Sequence, residues 1–232
     1  MLEALEWVED NLEKEILDYI KTYVEYEHTY QVLDVVYAKL TWVYDVFQAI
    51  PYRRAYSTDY GCGKTRWLQV LGSICFKAYH QGAVATPAGI YRMCDAIQGT
   101  QLIDETVFSP KTETGQGLLN VLNVGYQRRG CVIRVDDSTP NAFTAFSPKL
   151  IASSRRFSDE ATESRTITHI ARRASSDKIP VMLDSEWETW SLKLRNMLLM
   201  WRFLNKERVA AEMKTTNTCL PVSYTHLRAH ET

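Results

Sequence analysis

The sequence predicts an α/β protein: a three-layer sandwich around a mostly parallel sheet, with a helical segment on either side of that core. Three observations predict it. β-like runs alternate with helical ones through the middle of the chain, the pattern of parallel crossover units. A short strand feeds a glycine-rich loop that opens directly into a helix. A second, apolar strand ends in two adjacent acids. The composition suits one substantial core, with 232 residues of which 45% are hydrophobic and 24% charged.

Residues 1–49 read as helical. Apolar positions recur at spacings of three and four through Leu5, Val8, Leu12, Ile16, Ile20 and Val24. They do so again through Val32, Val36, Leu40, Val43 and Phe47, until Pro51 stops the pattern. Arg54 to Ser57 is a short strand, and Thr65 to Tyr79 has a helix's apolar spacing. Thr86-Pro87 opens the next helix, with Thr as cap and Pro in the first turn, and this helix runs to Ile97. Thr100 to Ile103 is a buried strand, followed by Asp104-Glu105 and a helix over Gly117–Tyr126. Cys131 to Val135 and Ala142 to Phe146 flank a turn-rich DDSTPN and predict a hairpin. Lys149–Ser153 and Thr166–Ile170 are further strands, and Glu186–Met213 is helical, with Trp187, Trp190, Leu194, Met197, Leu198, Trp201 and Leu204 on its apolar side. The segments are therefore 1–49, an α/β core over 50–175, a helical part over 176–220, and a tail over 221–232.

The tail is unlike the rest. VSYTHLRAHET, Val222 to Thr232, has neither helical nor strand periodicity, and its back-translation resembles a transposon-based sequencing adapter over the whole segment, a natural polar tail being the plainer alternative. It is set aside as non-native, which removes His226 and His230 from functional reasoning and implies that the native chain ran on past residue 220. The formal net charge of −1 gives no global pull toward nucleic acid or an anionic membrane. Cys62, Cys75, Cys94, Cys131 and Cys219 form no metal-spaced set and read as free thiols in a reducing compartment. With no basic-then-apolar leader, and with Asp34, Lys39 and Asp45 breaking the most apolar early run, the expectation is a cytoplasmic protein outside any membrane.

Chemistry concentrates in AYSTDYGCGKTRW, residues 55–67. Phosphates need inward-pointing backbone N–H groups and a helix N-terminus behind them, and glycines let the main chain approach. The motif G-x-x-x-x-G-K-[ST] fits here except at its first position, where Thr58 stands. The nucleotide-binding set is Asp59, Tyr60, Gly61, Cys62, Gly63, Lys64, Thr65 and Arg66. Lys64 would reach the β- and γ-phosphates and the Thr65 hydroxyl would bind Mg²⁺. Asp104, 40 residues after Lys64, would hold the metal, and Glu105 would polarise the attacking water. An acidic turn after a buried strand is the plainer alternative. In LIASSRRF, Ser153, or else Ser154, would orient the water near the γ-phosphate, unless it only caps the next helix. Arg165, just before TITHI, would project into a neighbouring subunit's nucleotide, unless it pairs with Asp159, Glu160 or Glu163. Arg155, Arg156, Arg172 and Arg173 compete for that part.

Four stretches together, STDYGCGKTRWLQVL, TQLIDE, LLNVLNVGYQRRG and RRFSDEATESRTIT, give the chain a likeness over residues 28–210. It resembles the AAA+ branch of P-loop ATPases, and within it little-characterised ATPases of phages and mobile elements linked to primase–helicase modules. Such relatives commonly carry Ser or Thr at the Thr58 position. The resemblance implies a P-loop NTPase fold with ATP and Mg²⁺ as cofactors. Lys64 and Thr65 would bind nucleotide–Mg²⁺, Asp104 and Glu105 would form the hydrolytic pair, and Arg165 would act in trans within a homo-oligomeric ring such as a hexamer. Glu186–Met213 would fill the place of a partial helical lid, with Arg195 or Arg202 as lid arginines. In some AAA+ helicases a hairpin before the sensor strand touches DNA. Here its tip, Asp136-Asp137-Ser138, is acidic, with Arg128, Arg129 and Arg134 flanking, so a solvated charged loop is the stronger reading. The function expected is an ATP-hydrolysing motor or switch acting on single-stranded or duplex DNA in mobile-element replication. The alternatives are a protein-remodelling ATPase or helicase loader and, third, a P-loop kinase.

Overall fold

Directly after Pro51 comes Tyr52–Tyr56 (β1), an interior strand of a five-stranded parallel sheet. Its companions are Tyr79–His80 (β2), Gln101–Asp104 (β3), Lys149–Ser153 (β6) and Thr166–Ile170 (β7), in the spatial order β2-β3-β6-β1-β7. Cys131–Asp136 (β4) and Thr139–Thr144 (β5) form a separate antiparallel hairpin. The helices are Leu2–Tyr23 (α1), His28–Trp42 (α2), Lys64–Ile74 (α3), Pro87–Ile97 (α4), Glu113–Gly125 (α5), Glu160–Ser164 (α6) and Ser185–Thr216 (α7). This computed structural model describes residues 2–81, 86–104, 111–136 and 139–216. Glu105, the tip residues 137–138 and the tail lie outside the described residues.

The two-residue period of the strands sorts side chains onto two faces. Tyr52, Ile103 and Ile151 pack against Ile90, Tyr91, Leu118 and Leu122 of α4 and α5. Ala55, Leu102, Leu150 and Ala152 pack against α1, α2, α3 and α7 through Ile16, Val35, Leu68 and Leu198 among others. Each such aliphatic burial contributes about 1.5–3 kcal/mol, so the two clusters clamp the sheet into three layers. Among the described residues no helix is long and apolar enough to cross a membrane.

Several expectations hold in detail. Thr86 caps α4, its hydroxyl accepting from Gly89 N at 3.0 Å with Pro87 in the first turn. Lys149–Ser153 and Thr166–Ile170 are strands as expected. Others are corrected. The helix expected to reach Tyr79 stops at Ile74, because Cys75 turns extended and Tyr79–His80 pairs with Gln101–Leu102 as the edge strand. The helical run over 1–49 breaks between Tyr23 and His28 and closes with a 3₁₀ turn, Tyr44–Val46. Within α2 the buried side is not the Val32–Val36 stripe. Those valines are 44% and 55% exposed, whereas Asp34, Val35, Tyr37 and Ala38 face inward. Leu204, expected on the apolar side of α7, is 44% exposed.

Candidate functional site

Parallel pairing sets the ends of β1, β3 and β6 along one edge. Tyr56 lies opposite Ser153, and Asp104 opposite Ala152. Ser57 N donates to Ser153 O at 3.3 Å, which ties the start of the glycine loop to β6. The carboxyl edge of a parallel sheet is where open α/β folds place ligands.

The loop itself is shaped by two left-handed glycines, Gly61 at φ 71° and Gly63 at φ 79°. A side chain in that region costs about 1–2 kcal/mol. At Gly63 the demand is conformational and not one of room, since an added Cβ would meet no protein atom within 4 Å. Gly63 caps α3, with Trp67 N donating to its carbonyl at 2.8 Å. The first N–H groups of α3 therefore have no acceptor within the helix and, with the helix dipole, form a seat for an anion. Thr58 is exposed and has no positive φ, so the missing first glycine imposes no strain.

The predicted residues divide by environment. Lys64 is buried, and its Nζ folds back over the loop to Asp59 O at 2.9 Å. Thr65, Asp59, Tyr60 and Gly61 are exposed, and Cys62 is buried with its thiol toward Tyr60 O at 3.7 Å. Arg66 turns from the loop to the segment before α7, donating to Pro180 O at 3.0 Å and Val181 O at 2.5 Å. Asp104 is half-buried and shares the face of Leu102, the face that α3 covers. The same alternation turns Ser153 to the opposite face, where its hydroxyl donates to Arg155 O at 2.9 Å. Ser154 is half-buried beside it.

The arginines are distributed differently from the expectation. Arg165 precedes β7 and so sits at the opposite edge of the sheet from the loop. Its guanidinium donates to Asn123 Oδ1 and lies 4.2 Å from the Tyr126 ring centroid, within its own chain. Of the three acids expected as its alternative partners, Asp159, Glu160 and Glu163, the last accepts instead from Arg54 at 2.5 Å. Arg173, at the exit of β7, is the competitor that reaches the loop: its Nη2 is 3.5 Å from the position a Gly61 Cβ would take. Arg195 donates to Ser73 O at 2.8 Å, near the far end of α3, and Arg202 forks onto Asp45 at 3.1 Å through both nitrogens. From Lys64 to Ser73 is about 14 Å along the helix, so these two anchor α7 away from the phosphate seat.

Behind the loop lies a buried polar cluster not foreseen from the sequence. Asp34 and Arg53 meet at 2.6 Å with no solvent exposure of either side chain. Asp34 also accepts from Tyr26 Oη at 2.7 Å and Trp67 Nε1 at 2.8 Å, and Arg53 donates to Ile167 O at 2.7 Å. Arg53 Nη2 stands 3.4 Å from His169 Nδ1, and since the guanidinium only donates, Nδ1 is the acceptor and Nε2 carries the proton. Burial, reinforced by the Arg53 charge, lowers the His169 pKa to about 4, so the ring is neutral at pH 7. The one available signal was the dipeptide Arg53-Arg54 in a strand: alternation sends one charge into each layer, and each then requires a buried partner.

The sequence matches no described protein family, and no curated protein is similar to it. Among solved structures it has a likeness to JCV helicase, determined with an acetamide compound bound. The TM-score is 0.36 and the identity 13%, over 95% of this chain and 69% of that one.

Proposed function

We propose that the chain binds a nucleoside triphosphate on residues 57–66 and hydrolyses it as an AAA+-like ATPase. The observation that supports this is the loop: two left-handed glycines carry β1 into the N-terminus of α3, with Lys64 folded across them and Asp104 on the same edge and face. Exchange of Asp59 O for phosphate oxygens would bring the Lys64 ammonium onto the β- and γ-groups while the first turn of α3 holds them by N–H donation. Arg173 adds a second positive charge from within the same subunit. Thr65 Oγ1 and the Asp104 carboxylate are hard oxygen donors of the kind Mg²⁺ takes, and the ion would offset phosphate charge when bound. Glu105, next in sequence, would accept the proton of the attacking water.

In its finer form the proposal is a Walker-type motor or switch that acts on DNA in phage or mobile-element replication, with ATP and Mg²⁺ and assembled as a homo-oligomeric ring. Exposed Arg128 and Arg129 at the hairpin base, with exposed Arg134 along β4, support a phosphate-backbone contact. The deciding experiment is ATP turnover of the purified protein with and without single-stranded DNA, beside Lys64→Ala and Glu105→Gln. Turnover lost in both variants and raised by DNA supports the motor. Turnover indifferent to DNA favours a remodelling ATPase or helicase loader. Wild-type turnover no greater than that of Lys64→Ala sinks the ATPase reading.

A further inference from the structure

A cavity of about 520 Å³ opens beside the glycine loop, between the α1–α2 turn and the exit of β7. Its lining includes Tyr26 and Tyr30, whose rings adjoin that of His169, together with Glu27, Arg172 and Arg173. That volume is within the range of small-molecule sites, roughly 300–1,000 Å³. Two relationships place it near the phosphate seat. Arg173 lines the cavity and its Nη2 lies 3.5 Å from where a Gly61 Cβ would stand, and Ala171 N donates to Tyr56 O at 2.8 Å, joining the exit of β7 to the exit of β1.

His169 distinguishes this cavity from an incidental cleft. The residue is 2% exposed, it lines the cavity, and its Nε2 is buried without a hydrogen-bond partner among the described residues. A buried N–H donor left unsatisfied costs about 1–3 kcal/mol, so such a group marks a place where an acceptor is missing. The ring is held at its faces, one edge and Nδ1. Tyr26 stacks on it at 4.7 Å and 28°, Trp67 of α3 meets it edge-on at 5.0 Å, and Arg53, itself held by Asp34, stands at Nδ1. Tautomer and orientation are thereby set in advance.

We infer that His169 is a base-reading residue: the cavity takes the nucleoside half of the nucleotide, and Nε2–H donates to a ring nitrogen or carbonyl oxygen of the base. This rests on the nucleotide reading of the loop and adds where the base sits and what selects it. Tyr30, half-buried in the same wall with its ring centroid 6.0 Å from that of His169, offers its outer aromatic face to the base, and Arg173 lines the cavity as well. A pocket built to satisfy one buried donor discriminates against ligands that lack the acceptor.

The test compares ATP with inorganic tripolyphosphate, which has the phosphates and no base, on wild type, His169→Phe, Tyr30→Ala and Lys64→Ala. Binding is read by competition against a fluorescent nucleotide and by ligand-induced shift in Tm, and folding by the Tm without ligand. His169→Phe and Tyr30→Ala should each weaken ATP at least tenfold and change tripolyphosphate less than twofold, while Lys64→Ala weakens both. Tyr30→Ala keeps the test decisive if His169→Phe fails to fold. ATP affinity unchanged in Tyr30→Ala and in a folded His169→Phe overturns the inference while leaving the loop reading intact. Equal loss of both ligands also overturns it, because the effect would then be structural. Wild type that binds neither ligand overturns both.

Discussion

Arg53 and Asp34 face each other at 2.6 Å with neither side chain open to solvent, and between them they join four elements. Asp34 stands on α2 and collects Trp67 of α3 and Tyr26 of the turn before α2, while Arg53 stands on β1 and reaches Ile167 of β7. β1 and α3 are the two elements that carry the glycine loop. The geometry of a surface loop is therefore set by a charge pair one layer below it.

Removing one partner leaves the other charge buried without compensation, at a cost of about 3–5 kcal/mol. Asp34→Leu and Arg53→Met should each lower stability by that amount in chemical denaturation. The double variant should be less destabilised than the sum of the two, because the stranded charge is gone. Additive losses would show that the pair is not energetically coupled.

His169 gives the pair a pH signature. Its pKa is lowered to about 4 by burial and then by the Arg53 charge, against an ordinary value of 6.5. Between these values the unfolded chain holds the extra proton and the folded chain does not, so stability falls as pH drops through this window. The full effect is up to about 3 kcal/mol. Glu25 and Asp159, whose pKa values are lowered by hydrogen bonds from Ser175 and Thr162 respectively, lose their contributions only below about pH 4.5. Melting curves at pH 7, 6 and 5 should show a steady loss in Tm that His169→Gln flattens. An identical slope in that variant would assign the loss to other groups.

The departure from the glycine motif at Thr58 is testable directly. Thr58 is exposed and unstrained, whereas Gly63 occupies a left-handed cap. Thr58→Gly should leave nucleotide affinity within twofold and lower stability by about 0.5–1 kcal/mol through the freer unfolded chain. Gly63→Ala should cost about 1–2 kcal/mol and abolish nucleotide binding. A large gain in affinity from Thr58→Gly would mean that the first position does matter here.

What could be read in advance was what depends on neighbours in sequence. The Thr86-Pro87 helix start, the apolar strands at Leu150 and Ile167, and the loop Gly61–Thr65 all follow from local pattern. What could not be read depends on pairing across the fold. The valine stripe of α2 is a regular helical pattern, yet it faces outward because Asp34 on the other side meets Arg53, 19 residues on. The hydroxyl of Ser153 is settled by strand alternation together with which helices cover which face. No spacing in the sequence marks His169 as the end of a buried relay, because Asp34, Arg53 and His169 are gathered only by the parallel sheet and the helix laid over it.

The same distinction separates the two arginines. Local context made Arg165 the natural candidate for contact with a nucleotide, but the sheet places it at the far edge, donating to Asn123 and stacked on Tyr126. Loss of that bond and cation–π contact should destabilise Arg165→Ala by about 1–2 kcal/mol. Nucleotide affinity per subunit should stay unchanged. Arg173 is exposed, makes no hydrogen bond or ion pair with the described residues, and lies against Gly61, so Arg173→Ala should change stability by no more than about 0.5 kcal/mol. One charge-assisted contact to phosphate is worth about 1.5 kcal/mol, which predicts a roughly tenfold loss of affinity for ATP in Arg173→Ala. Raised ionic strength should shrink the difference between that variant and wild type, since the site is open to solvent. Equilibrium titration of both variants at low and high salt, with melting curves alongside, separates the roles. A loss of ATP affinity in Arg165→Ala with normal binding in Arg173→Ala would reverse the assignment and return Arg165 to the nucleotide, reached from the far edge of an adjoining subunit.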